Sequence, residues 1–220
     1  MKRTVVSEQT VRAEIARGGR SITVPPDALV TALAAELAAS AGISIVRQDA
    51  AVLSAKAPGV AAAPGGAGLR VAIGSDHGGF ILKKAVAEYL PSLGVRVIDV
   101  GTLSEEPCDY PDFAYMVAKT VADAQAELGI MIDGAGIGSC MVVNKIPGIR
   151  GACCAHEFTA RSAREHNSAN VLTLGSRVIG VELAKSIVRT FVETPFAGGR
   201  HESRVQKITD VEQRFLRSFR

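Results

Sequence analysis

The chain has 220 residues, 47% of them apolar and 21% charged, proportions that exclude a wholly disordered or collagen-like polymer and suit one full domain plus something smaller. Lys and Arg outnumber Asp and Glu by 25 to 22, a net charge of +3 spread along the chain, which lacks the concentrated basic face that a nucleic-acid partner requires. No run of about 20 apolar residues occurs and no apolar segment follows Lys2 and Arg3, so a cytoplasmic protein without membrane span or signal peptide is expected.

Ser7 reads as the cap of a first helix that carries Val11 and Ile15 one turn apart and ends at Gly18 and Gly19. A strand is predicted at Ser21 to Val24, stopped by Pro25 and Pro26. A second helix is predicted from Asp27 to about Ser40, with Leu29, Leu33 and Leu37 on one stripe, and a strand from Ile43 to Val46 after Gly42. Residues 1–48 thus form a small N-terminal α+β appendage, too short for a comfortable core of its own, that expects docking or oligomerisation. Residues 49–68 are nearly all Ala, Gly, Pro and Val and read as a linker. The stretch TVRAEIARGGRSITVPPDALVTALAAELAASAGISIV resembles N-terminal segments of enzymes packaged in bacterial microcompartments, such as ethanolamine-utilisation cobalamin adenosyltransferases. That resemblance implies a targeting or assembly role with shell or cargo proteins as partners; an incidental dimerisation appendage is the alternative.

Residues 69–220 alternate strands and helices over short connections, the pattern of a Rossmann-like, doubly wound α/β domain with a five-stranded parallel sheet. The strands are predicted at Val71 to Gly74, Val95 to Val100, Leu128 to Ile132, Arg150 to Cys154 and Val171 to Gly175. The helices are predicted at about Phe80 to Tyr89, Pro111 to Ala124, Ser139 to Lys145, Glu157 to Glu165, Val181 to Phe191 and Glu202 to Phe215.

Ligands of such sheets bind outside the carboxyl ends of the strands. That rule selects Ser75 to Gly79, Cys108 to Asp112 and the loop Asp133-Gly134-Ala135-Gly136-Ile137-Gly138-Ser139. The loop has neither the dinucleotide spacing G-x-G-x-x-G nor a Walker Gly-Lys-Ser/Thr; what it offers is backbone N–H groups able to hold an anion or a developing oxyanion. Cys108, Cys140, Cys153 and Cys154 have no metal-ligand spacing and read as reduced thiols, so neither metal nor cofactor is expected.

The pieces VAIGSDHGGFILK, VIDVGT, DYPDFA, GIMIDGAGIGSCMVVNKIPGIRGA, AREHNSANVLTLGSRVIG and GGRHESRV occur in order, and residues 70–208 resemble the ribose 5-phosphate isomerase B and galactose 6-phosphate isomerase family. The resemblance implies aldose–ketose isomerisation of a sugar phosphate through an enediolate, most simply ribose 5-phosphate to ribulose 5-phosphate, by a homodimer or homotetramer. It further implies that Arg200 and Arg204 grip the phosphate with His77 nearby. Asp76, His77 and His166 are titratable groups suited to hydroxyl contacts and ring opening, and the resemblance implies ring opening and hydroxyl binding by His166 and Asn167 across a dimer interface, with Tyr110 contacting the sugar. Gly134, Gly136 and Gly138 would supply the N–H groups of an anion hole.

The chain departs from that family at the centre of the mechanism. Many members carry a proton-shuttling Cys where this chain has Asp133 and a Thr or Ser where it has Ala135, and another branch carries a Glu at the place of Ser139. Asp133 is therefore the expected base. Two alternatives stay open: an isomerase of another sugar phosphate, and a catalytically silent sugar-phosphate binder or microcompartment cargo protein.

Overall fold

The structure, a computed structural model, describes residues 5–24, 28–47 and 68–218. The chain divides into two units, Met1–Gly68 and Leu69–Arg220. Nearly all of the expected linker, residues 49–67, lies outside the described residues.

The first unit runs β1 (Val5–Val6), α1 (Glu8–Ala16), β2 (Ser21–Val24), β3 (Leu29–Val30), α2 (Ala32–Ser40) and β4 (Ser44–Arg47). Strand β1 pairs with β3, and β2 with β4, both parallel. The second helix starts five residues later than the expected Asp27, which itself lies outside the described residues. Leu29 and Val30 pair with Val5 and Val6, and the Thr31 hydroxyl caps α2 by accepting from the Ala34 N–H at 3.1 Å. The buried stripe is correspondingly rotated: Ala34 and Ala38 enter the core while Leu33 and Leu37 are half-buried. Val11 is buried as expected, but Ile15 is exposed.

The second unit runs β5 (Arg70–Ser75), α3 (Phe80–Tyr89), β6 (Arg96–Asp99), α4 (Tyr110–Ala122), β7 (Leu128–Asp133), α5 (Ile137–Val143), β8 (Gly151–Cys153), α6 (Glu157–Asn167), β9 (Val171–Gly175), α7 (Val181–Glu193) and α8 (Glu202–Ser218). Its five strands form one parallel sheet in the order β6-β5-β7-β9-β8. The chain winds one way from β5 to β6 and the other way from β7 onward, so the switch point falls between β5 and β7.

Continuous apolar runs become strands here because both faces of the sheet are covered. Side chains alternate across a strand: Val71 and Ile73 of β5, with Leu128, Ile130 and Ile132 of β7, enter one core with Leu82 and Val86 of α3 and Ile187 and Phe191 of α7. Ala72 and Met131 point into the other, with Phe113 and Val117 of α4 and Val143 of α5. Each large aliphatic side chain so buried contributes roughly 1.5–3 kcal/mol. The two cores fix β5 and β7 from both sides, and with them the loops at their carboxyl ends.

Candidate active site

Asp133 ends β7 with its carboxylate turned under its own loop, only 4% exposed. Oδ1 accepts from the Ala135 N–H at 2.8 Å and from the Gly136 N–H; Oδ2 accepts from the Ser139 N–H at 3.0 Å and from the Ser139 hydroxyl. Gly136 makes this turn possible: its φ is +79°, and a Cβ there would lie 2.9 Å from the Cys153 sulfur and 3.0 Å from the Leu174 carbonyl carbon. Helix α5 therefore begins at Ile137, two residues earlier than the sequence pattern suggests.

The structure bears on two expectations. A carboxylate has about four lone-pair directions, and four donors meet those of Asp133, so this group organises the loop. The Gly136 N–H is committed to Asp133 and does not belong to an anion hole; the loop donors not committed to that carboxylate are those of Gly134, Ile137 and Gly138.

Around this loop the structure gathers several of the expected residues. Asp76, 8% exposed at the end of β5, accepts from the Gly79 N–H at 2.9 Å. Burial raises its pKa above the ordinary carboxylate range and the nearby Asp133 charge adds to this, against the Gly79 and Gly78 N–H groups and His77. The His77 Nδ1 lies 3.0 Å from the Cys108 carbonyl oxygen, which ties the β5 loop to the loop before α4. The Tyr110 ring packs on Gly138, within 2.7–2.8 Å of where a Cβ would stand. Ser176, just past β9, donates from Oγ to the Gly78 carbonyl at 2.7 Å and from its N–H to the Asp133 carbonyl at 2.8 Å, joining the two switch-point loops.

Arg177 is a residue that sequence reasoning missed. Its N–H donates to the Gly134 carbonyl at 3.0 Å, and its Cδ and Nε stand 3.9 Å from the Cβ position of Gly134. The available signal was an arginine directly after the carboxyl end of β9, where ligand-binding loops cluster.

The remaining residues form a second group. The His166 ring, at the end of α6, stacks on His201 with centroids 4.4 Å apart and planes 11° apart. Arg200 Nε lies 3.4 Å from His201 Nε2, and the His166 Nδ1 lies 3.2 Å from the Ser162 hydroxyl. Asn167 ends α6 with its side chain exposed and its carbonyl accepting from Arg150 Nε at 3.1 Å; Arg204 is exposed on the first turn of α8. His201, which the sequence left unassigned, is thus at the centre of this group. Among the described residues, no hydrogen bond or ring contact of His166, His201 or Arg200 reaches the group around Asp133.

No helix among the described residues is long and apolar enough to cross a membrane. Cys108, Cys140, Cys153 and Cys154 are all free thiols. Burial pushes the Cys154 thiol up to about 11, which leaves it a core residue.

Comparison with known proteins matches the family described as Ribose/Galactose Isomerase over residues 71–208. Ribose-5-phosphate isomerase B of Escherichia coli strain K12 is 47% identical over 145 residues, 66% of this chain and 97% of that protein. D-erythrulose-4-phosphate isomerase of Pectobacterium atrosepticum is 42% identical over 142 residues, 64% of this chain and 93% of its own length. Among solved structures, ribose-5-phosphate isomerase B of Clostridium thermocellum aligns with a TM-score of 0.66 at 47% identity, covering 67% of this chain and 99% of that one. That of Mycoplasma genitalium, with bound ribulose-5-phosphate, aligns with a TM-score of 0.64 at 40% identity over 67% of this chain and 99% of its own.

Proposed function

The chain belongs to the ribose/galactose isomerase family and is an aldose–ketose isomerase of sugar phosphates; from that premise we propose that it interconverts ribose 5-phosphate and ribulose 5-phosphate in the cytoplasm. The observation that carries this reading is the convergence of Asp76, His77, Tyr110, Arg177 and the Gly134–Gly138 loop at the switch point of the sheet. An isomerase must grip a phosphate, open the sugar ring, move a proton between two carbons and hold the enediolate between.

We assign the phosphate to Arg200 and Arg204, whose guanidinium groups suit bidentate oxyanion contacts, with His77 and Arg177 beside them. His166 is assigned to ring opening, and Tyr110 and Asn167 to sugar hydroxyls. Gly134 and Gly138 offer N–H groups to the enediolate oxygen. These groups lie in two sets within one chain, which supports a homodimer, or a homotetramer of such dimers, in which one copy's His166 set completes the other's Asp76 set. Helix α8 supports the same reading, since Ile208, Val211 and Phe215 are 49%, 53% and 65% exposed along it.

Residues 1–68 hold none of the assigned site residues, and we assign them to assembly, including the microcompartment packaging implied by the likeness of residues 10–46. Co-packaging of the full chain but not of residues 67–220, with turnover equal in both, checks this role.

The substrate is tested by steady-state turnover of ribose 5-phosphate beside D-erythrulose 4-phosphate. The second sugar is included because Ala135 brings no hydroxyl to the loop and because a relative 42% identical is an isomerase of that four-carbon sugar. Higher kcat/KM on ribose 5-phosphate is expected. Turnover of the four-carbon sugar alone would move the assignment to it, and turnover of neither would sink both.

A further inference from the structure

We propose that Asp76, and not Asp133, is the base that moves the proton between carbons 1 and 2 of the sugar, Asp133 being the residue that shapes the loop against which it works. The inference rests on the isomerase reading above and goes on to its central step.

Asp133 is buried with four donors on two oxygens. Ser139, at the position where one branch of the resembled family has its Glu, is one of those donors and is itself fully buried. His77 faces the Cys108 backbone with Nδ1. The Cys108 thiol is held protonated by burial, its pKa raised with the Asp76 charge adding to the rise. Of the two carboxylates at the carboxyl ends of β5 and β7, Asp76 is the one left; it accepts from the Gly79 N–H at Oδ1, with the Gly78 N–H also acting on it.

Its placement suits the task. A Cβ built on Gly78 would stand 3.4 Å from Asp76 Oδ1, 3.9 Å from Oδ2 and 3.9 Å from the Gly134 nitrogen. Because residue 78 has no side chain, the carboxylate and an N–H of the neighbouring loop border one open point. A base and an oxyanion donor are needed side by side when the proton leaves a carbon next to a carbonyl.

The step balances without a co-reactant. The Asp76 carboxylate takes the proton from carbon 2 of the open-chain aldose, the carbon–hydrogen pair becomes the double bond between carbons 1 and 2, and the carbonyl pair moves onto oxygen 1, facing the Gly134 N–H. Asp76 then returns its proton to carbon 1, the proton on oxygen 2 passes to oxygen 1, and carbon 2 becomes the ketone. Burial, which raises the Asp76 pKa, makes the carboxylate a stronger base than an exposed one; His77, Asp133 and Cys108 are the titratable groups that face it, and Arg177 lies along the adjoining loop.

The test uses the full chain, ribose 5-phosphate and D2O, following turnover and deuterium entry at the sugar carbons. Asp76→Asn keeps the shape and the Gly79 contact but removes the proton acceptor; kcat and deuterium entry are expected to fall by about 10²–10⁴-fold with KM changed little. Asp76→Glu is expected to recover part of both. Gly78→Ala, whose methyl fits at ordinary contact distance, is expected to lower kcat more than it raises KM by filling the point between carboxylate and N–H. In Asp133→Asn the acid limb of kcat/KM is expected to persist but to move to lower pH, because the group that titrates is still Asp76 and has lost the neighbouring charge that helps to raise its pKa. Asp76→Asn retaining turnover within tenfold would overturn the proposal, as would an Asp133→Asn chain that binds ribose 5-phosphate yet exchanges no deuterium. An unmodified chain that turns over no sugar phosphate would instead overturn the reading on which the proposal rests, and the proposal with it.

Discussion

The His201 imidazole is 7% exposed, its Nδ1 has no hydrogen-bond partner among the described residues, and its ring lies against that of His166. Burial lowers its pKa below the ordinary 6.5, and the positive charges of His166, Arg200 and Arg204 lower it further, with Glu165 acting the other way. The unfolded chain therefore takes up a proton at higher pH than the folded one. The contribution of His201 to stability is complete above about pH 6.5, declines as pH falls through that value, and levels off below the folded pKa. Protection of the amides of residues 199–204, their exchange taken relative to the intrinsic rate at each pH, is expected to fall between pH 7 and pH 5, and His201→Phe, which keeps a stacked ring, is expected to flatten that dependence. Equal slopes in the two proteins would show that the pH response arises elsewhere.

Between elements, Lys83 of α3 is one of the largest fully buried side chains among the described residues, and its ammonium donates to both oxygens of Asp99 at 2.9 and 2.8 Å and to the Thr102 carbonyl at 2.7 Å. The pair is lopsided: the Lys83 side chain is 2% exposed and that of Asp99 37%. Asp99→Ala strands a buried ammonium and is expected to cost about 3 kcal/mol or more, whereas Lys83→Met leaves a carboxylate that water reaches and is expected to cost about 1–2 kcal/mol. Denaturant unfolding of the two variants checks the order; equal costs would contradict it. The same scale shows what could be read from the sequence. The strands β5, β7 and β9 of the main sheet were legible because each is a short apolar run buried on both faces, whereas Leu29 and Val30 carry a helical stripe and become a strand only through pairing with Val5 and Val6, more than 20 positions away. The glycine loop was legible as a donor-rich turn. The Asp133–Ser139 bond was not, because residues six apart meet only once Gly136 has reversed the chain.

For the whole molecule, the separation of His166, His201 and Arg200 from Asp76 and its loop makes a two-chain site testable by mixing. A homodimer with two-fold symmetry repeats each contact, so a dimer of one Asp76→Asn chain and one Arg204→Ala chain has one site with both defects and one with neither. Two separately inactive variants, refolded together, are expected to recover roughly a quarter of normal turnover, half of the dimers being mixed and half of their sites intact. No recovery would mean that each chain builds its site alone. What could not be read from the sequence at this scale is why the motifs fall in two sets: GGRHESRV and AREHN are distant from SDHGGF in the chain, and only the stacking of His201 on His166 shows which of them belong together.

The Asp133 carboxylate also bears on the paths open to the sequence as it drifts. Replacing Asp133 by Cys, the residue many members of the family carry there, removes the acceptor of three backbone N–H groups and one hydroxyl at once, and replacing Ser139 by Glu sets a second carboxylate against the first. Positions 133 and 139 therefore constrain each other, and substitutions at one select the residues tolerated at the other. Descendants of this chain should keep the pair or exchange both members together, so the Asp and the Ser are expected to be inherited as a unit.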